Sequence, residues 1–151
     1  MALRISLTSV ELITEPSEGL RRRLGDALKA RNLLMSPELA AAKELYGKDD
    51  VPLEVYAVED GELVGGLAGE TWLSWLHVEL LWVRDRGDGL GSRLLATAEE
   101  IARGRGCTGS RLETWSFQAP GFYAKQGYRI VGEVPDHPFP GSVDYTLIKN
   151  L

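Results

Sequence analysis

The residues Arg86, Gly87, Asp88, Gly89, Leu90, Gly91 and Ser92 form the segment best suited to bind an anion. They follow an apolar, strand-like run from Leu76 to Val83. They open a segment in which Leu90, Leu94, Ala98 and Ile101 recur at helical spacing. Glycines at 87, 89 and 91 admit backbone angles closed to other residues and let a ligand approach the main chain. The first helical turn beyond them leaves N–H donors unpaired at the positive end of the helix dipole. With the guanidinium of Arg86 and the hydroxyl of Ser92 beside them, these donors suit a phosphate or pyrophosphate.

Spacing separates the phosphate motifs that compete for this run. A Walker A loop needs Lys followed by Ser or Thr after its last glycine, whereas here Ser92 is followed by Arg93. A dinucleotide-binding G-x-G-x-x-G starting at Gly87 meets Ser92 at its third glycine, although Glu113 lies where a ribose-binding acid would. The chain beyond the loop is also too short for the rest of a Rossmann sheet. The pattern that fits is R-x-x-G-x-G, as Arg86, Gly89 and Gly91. Downstream, after a short strand from Arg111 to Trp115, stands A-x-x-F-Y-x-x-x-G-Y at Ala119, Phe122, Tyr123, Gly127 and Tyr128.

Together the two patterns resemble the signatures of the GNAT superfamily of acyl-CoA-dependent N-acyltransferases. The resemblance covers roughly Val58 to Leu151 and the amino-terminal third only in outline. It implies an α/β (α+β) fold with a mixed, mostly antiparallel sheet of six to seven strands and about four helices. The sheet would be splayed between its fourth and fifth strands, here 76–83 and 111–115. Acetyl-CoA would lie in the splay as acyl donor, with its pyrophosphate on Arg86–Ser92.

The resemblance also distributes roles. Acylating an amine by a thioester requires a neutral amine, a polarised carbonyl and a protonated leaving thiol. Alkyl amines titrate near ~10, so a base assists at neutral pH. Glu79 matches the family's base, with an orienting salt bridge as the alternative and His77 as the lesser candidate. Backbone amides of Leu81, Trp82 and Val83 match the groups that polarise the carbonyl, a task that needs no particular side chain. Tyr123 matches the acid that protonates the thiolate. Ser116 stands where many relatives carry an Asn against the pantetheine arm. Only Arg84 and Asp85 separate Val83 from Arg86, a shorter spacer than the family's usual one, and Asp88 brings a negative charge to the loop. Capping the long helix is a role for Asp88 that tolerates that charge.

The elements that must position these groups follow from periodicity and turn chemistry. A first strand is expected at Leu3–Thr8, then helices at Pro16–Arg31 and Pro37–Tyr46, the second with Ser36 and Pro37 as cap and first-turn pair. Asp60–Gly61 predicts a two-residue hairpin between strands at Leu53–Glu59 and Glu62–Thr71. Gly65, Gly66 and Gly69 mark the second of these for a bulge or a close backbone approach. In the strand at 76–83 a period of two puts Leu76, Val78, Leu80 and Trp82 on one face and His77, Glu79, Leu81 and Val83 on the other. Trp82 and Trp115 then read as sheet core. The long helix runs to about Arg105. A short helix follows at Pro120–Gln126, strands at Tyr128–Gly132 and Asp144–Lys149, and a proline-rich loop, Glu133–Ser142, between those two strands.

Composition limits the alternatives. A chain of 151 residues with 44% apolar content suits one acyltransferase domain spanning residues 1–151. The start lacks a signal peptide's features and no run reaches a membrane span's length, which with a lone cysteine, Cys107, predicts a cytoplasmic protein. Cys107 itself reads as core packing and Arg21–Arg23 as a solvated helix face. Two histidines and one cysteine, widely spaced, predict no metal site. A net charge of −5 argues against a nucleic-acid partner and suits a cationic amine. The expected function is an N-acyltransferase moving acetyl from acetyl-CoA to a primary amine of a small molecule or peptide by direct attack in a ternary complex. A non-catalytic acyl-CoA-binding module is the alternative. The sequence names neither the acceptor nor the assembly state, monomer or homodimer.

Overall fold

The computed structural model describes residues 10–47 and 49–151. The expected strand at Leu3–Thr8 lies outside them. The chain divides into two compact units, 1–40 and 41–151. Helix α1 (Glu18–Met35) belongs to the first and is capped by Ser17, whose Oγ accepts from the Leu20 N–H at 3.2 Å. Helix α2 (Pro37–Tyr46) begins in the first unit and runs into the second. Its cap is the predicted Ser36, which accepts from the Leu39 N–H at 3.1 Å and so answers a donor that the first turn leaves free.

The second unit is a six-stranded sheet with helices α3 (Leu90–Gly104) and α4 (Pro120–Lys125). The strands are β1 (Val51–Glu59), β2 (Glu62–Trp72), β3 (Trp75–Val83), β4 (Gly109–Trp115), β5 (Arg129–Pro135) and β6 (Val143–Asn150), in spatial order β1-β2-β3-β4-β6-β5. All neighbours are antiparallel except β3 and β4, which α3 joins by a crossover. Asp60 and Gly61 turn the β1–β2 hairpin with positive φ at both positions, as a type I′ turn demands. The predicted loop Glu133–Ser142 shortens to 136–142, because β5 continues to Pro135 by pairing with Val143 of β6.

The core sits between α3 and one face of the sheet. Leu53, Leu67, Leu76, Val78, Leu112 and Leu147 from the strands meet Leu94, Leu95, Ala98 and Ala102 of α3. Each buried leucine of this kind stabilises the fold by roughly 1.5–3 kcal/mol. Cys107 joins this cluster as expected, and burial pushes its thiol above the usual range. At its carboxyl end α3 is tied to β1 through Arg105, whose guanidinium donates to the carbonyls of Val51 and Pro52 at 3.2 and 3.1 Å. On the other half of the sheet, Glu99 of α3 is buried and receives Lys149 Nζ of β6 at 2.7 Å and the Tyr128 hydroxyl at 3.1 Å. A buried carboxylate left without such partners would cost several kcal/mol.

Strand β3 departs from simple alternation. Gly69 of β2 pairs with Val78 and Ala68 with Leu80, so Glu79 has no opposite number and forms a β-bulge. The bulge shifts the pleat by one residue. Leu76 and Val78 face the core before it, and Leu81 and Val83 pack against the core after it. Leu80 and Trp82 are exposed at 68% and 53%. The expected grouping of Leu80 and Trp82 with Leu76 and Val78, and of Leu81 and Val83 with His77 and Glu79, is therefore overturned, and Trp82 is not sheet core. Nor is Trp115, which lies half-buried and stacks on Phe117 with ring centroids 5.5 Å apart.

Gly69 is what the bulge requires opposite it. A Cβ at that position would sit 2.1 Å from the carbonyl oxygen of His77, so the two backbones approach more closely than any side chain permits. Gly69→Ala is expected to lower the unfolding free energy by about 1–3 kcal/mol, the usual cost of forced overpacking. Gly25→Ala, in open space within α1, is expected to raise it by up to about 1 kcal/mol. Denaturant melts of both variants check the contrast.

Candidate active site

The site is built on a gap in the sheet. Strands β3 and β4 pair only from Trp75 to Val78 against Gly109 to Leu112. Beyond that, β3 keeps its β2 partners up to Val83 but has none on the β4 side. Backbone polar groups from Glu79 to Val83 that point toward β4 are thus left for a ligand or solvent. This is the splay expected between the strands at 76–83 and 111–115.

A pocket of about 550 Å³ opens at this gap. Its walls are Leu81–Val83 of β3, the loop from Arg84 to Gly89, Leu90–Ser92 at the start of α3, and Ala119, Phe122 and Tyr123. The two sequence patterns, far apart in the chain, thus face one cavity. Gly87 and Gly89 both take positive φ, 95° and 80°, which turns the chain from β3 into α3. The loop's two arginines differ in availability. Arg84 is spent on Asp85 and Glu59, at 2.9 and 3.0 Å, whereas Arg86 has no acidic partner among the described residues. The N-cap of α3 is Gly89 rather than the expected Asp88, which stands one residue earlier and whose Oδ1 accepts the Leu90 N–H at 2.9 Å. Ser92 accepts from Gln126 Nε2 at 2.9 Å, which ties α3 to the segment after α4 and leaves the serine's own proton free to donate.

Two tyrosines reach this region, and their partners tell them apart. Tyr128 is committed, its hydroxyl lying 3.1 Å from Glu99 Oε1 and 2.8 Å from Ser110 Oγ. Tyr123 is buried in an edge-on stack between Phe122 and Tyr128, and its hydroxyl has no hydrogen-bond partner among the described residues. That hydroxyl is not sealed in, because no buried side-chain polar atom among those residues lacks a partner. It is therefore accessible, on a residue that lines the pocket. Burial holds its ionisation above the ordinary value, so the phenol stays protonated at neutral pH.

Glu79 and Ser116 are not among the pocket-lining residues. Ser116 is engaged with β6, its Oγ accepting from the Val143 N–H at 3.0 Å. Glu79 is exposed at the bulge, beside the root of the splay. One ligand atom each from Glu79, His77 and Glu70 lie within 4.8 Å of one another, on the sheet face away from α3. His77 Nε2 lies 2.8 Å from Glu113 Oε2, and Glu113 also accepts from Arg111. Although burial raises the Glu113 carboxyl, those two partners outweigh it and hold the group below its usual range. Glu113 thus serves a histidine rather than a ribose. The pattern A-x-x-F-Y carried Ala119 and Phe122 into the pocket wall, but the His77–Glu113 pair and the Gln126 brace had no signal at fixed spacing. Phe117 and Phe139, stacked at 5.5 Å, continue the aromatic row from Trp115 on the 136–142 loop. Only strand pairing reveals that neighbourhood.

Comparison with known proteins agrees with this geometry. Residues 23–128 match the model of the acetyltransferase (GNAT) family. The chain is 52% identical over 123 residues to a blasticidin-S acetyltransferase of Streptomyces morookaense, covering 77% of this chain and 90% of the relative. The crystal structure of an acetyltransferase from Bacillus cereus ATCC 14579 superposes with a TM-score of 0.81 at 30% identity, over 93% of this chain and 98% of that one. An aminoglycoside 6'-N-acetyltransferase crystallised with coenzyme A shares the fold, with a TM-score of 0.60 at 20% identity over 93% and 95% of the two chains. The expected fold class holds, with six strands among the described residues, and the enzyme reading stands over the binding module. The chain is an N-acetyltransferase and belongs to the acetyltransferase (GNAT) family.

Proposed function

We propose that this enzyme, as one acyltransferase domain over residues 1–151, transfers acetyl from acetyl-CoA to an amine of a small antibiotic-like molecule. Blasticidin S, named for the Streptomyces relative, is the first acceptor to test. The observation that carries the reading is the convergence of both sequence patterns on one pocket beside an unpaired strand edge. The residues fit the coenzyme. The pocket's size lies within the about 300–1,000 Å³ of small-molecule sites, and the glycine loop offers open backbone and an unspent Arg86 to a pyrophosphate. Acetyl-CoA supplies an activated acetyl group as a thioester.

The chain's own groups then divide the work. Arg86, the loop backbone and Ser92 hold phosphate oxygens, with α3 aiming its positive end at them. Unpaired amides among Leu81, Trp82 and Val83 donate toward the carbonyl oxygen as it gains charge. Glu79 removes a proton from the incoming amine, and Tyr123 gives one to the departing sulfur. The acceptor enters from the sheet face that carries Glu79, where the 136–142 loop and the Trp115–Phe117–Phe139 row offer flat apolar surface. The negative net charge of the chain favours a cationic acceptor.

Calorimetry with CoA tests the cradle. Gly89→Glu places a carboxylate in it and strains the positive φ, and is expected to abolish measurable CoA binding, whereas equal affinity in both proteins contradicts the assignment. For the roles, Tyr123→Phe is expected to keep acetyl-CoA affinity within a few fold while lowering turnover of blasticidin S by roughly 10²-fold or more. Glu79→Gln is expected to show a deficit that shrinks from pH ~7 to about 9.5, as more amine loses its proton unaided. A deficit constant across that range makes Glu79 an orienting residue.

Tyr123 also has a signature in stability. Its folded-state ionisation is raised above the ordinary 10.0, so the stability contributed by the neutral phenol is full below pH 10.0 and declines as pH rises further, where the unfolded chain ionises first. Unfolding midpoints measured from pH 8 to about 11 are expected to fall less steeply in Tyr123→Phe than in the parent protein.

A further inference from the structure

We infer that Glu113 positions His77 as a proton relay behind Glu79, resting on the acetyl-transfer reading above. The inference starts from proton balance. An ammonium that becomes an acetamide loses two protons from its nitrogen as the N–C bond forms and the C–S bond breaks. One replaces the proton that Tyr123 gives to sulfur, and the other goes to solvent. A single carboxylate holds one proton at a time, so Glu79 must be cleared between the two losses.

His77 stands where that clearing can happen. It lies two residues before Glu79 on β3, and the bulge leaves both on the sheet face away from α3. A nitrogen of His77 and a carboxylate oxygen of Glu79 lie within 4.8 Å of each other, a separation short enough for a single water to span. The imidazole is about one-third exposed, so it reaches solvent as well. Its orientation is fixed from β4: Glu113 Oε2, 2.8 Å away, takes Nε2–H and leaves Nδ1 as the acceptor. Arg111 in turn holds the other oxygen of Glu113. The charged groups around the ring are thus Glu70 from β2, Glu79 from β3, and Arg111 and Glu113 from β4. His77 pairs with Arg111 in the last stretch of ladder before the strands part, so the relay is anchored on paired backbone.

Nitrogen-15 NMR of the imidazole groups in the unmodified enzyme reads the arrangement without any acceptor. The neutral His77 ring is expected in the Nε2–H form, and Glu113→Val is expected to return it to a mixture. An Nδ1–H ring in the parent protein overturns the inference. In turnover, His77→Ala is expected to lower kcat/KM for the amine by roughly 10²-fold at pH ~7, with KM for acetyl-CoA within a few fold and partial recovery on adding imidazole. Glu113→Val is expected to show a smaller deficit that closes as pH rises. Deficits that ignore both pH and imidazole mark a structural role and contradict the relay. If the parent enzyme turns over neither blasticidin S nor a panel of peptide amines, the acceptor reading fails, and the ring's proton position still decides the His77–Glu113 pair.

Discussion

The short parallel ladder between β3 and β4 is the constraint on which the rest depends. Hydrogen bonding joins the strands from Trp75 to Val78 and from Gly109 to Leu112, and then stops while both strands continue. Backbone donors and acceptors cannot stay unsatisfied at no cost, so a sheet that parts in this way must offer them to water or to a bound molecule. Two devices keep the gap from closing or tearing further. The bulge at Glu79, made room for by Gly69, re-aims β3 just as its β4 partner is lost. Helix α3 spans the break, reaching β1 through Arg105 and β6 through Glu99 and Lys149.

Once the gap exists, the chemistry follows from what faces it. The Gly-rich loop leaves β3 at the end of its unpaired stretch and enters α3 at once, so the helix's positive end and the open amides share one pocket. Tyr123 reaches that pocket from α4 with its hydroxyl unspent, while Tyr128 is held in the Glu99 network. Carboxylates and a histidine gather on the opposite side of the sheet, at the root of the splay. The proposed acid, Tyr123, and the proposed base, Glu79, thus lie on either side of β3, an arrangement that suits attack from one side and departure from the other.

How much of this was legible in the sequence varied with its physical origin. Local chemistry was readable: Asp60–Gly61 for the hairpin, Ser36–Pro37 for the start of α2, and Asp88 as an acceptor at the start of α3. The glycine loop was readable as a turn into α3 that lines a pocket, because such a turn needs backbone freedom at fixed spacing. The faces of β3 were not, because a period of two assumes an unbroken pleat and Glu79 breaks it. The signal lay on the neighbouring strand, in Gly69, whose meaning depends on pairing register. The same holds for Glu113, which looked like a ribose-binding acid until β3 and β4 brought it to His77. Trp115 looked like core for want of Phe117 and Phe139 beside it.

Amide hydrogen exchange, resolved by residue and measured with and without CoA, tests most directly that the open edge of β3 and the loop form one coenzyme site. In the free enzyme, amides of Glu79–Val83 that point toward β4 should exchange rapidly, while those bonded to β2 stay protected. Saturating CoA should slow exchange at that edge and at Gly89–Ser92 together. Protection that appears on neither segment, or edge amides already protected in the free enzyme, would contradict the account.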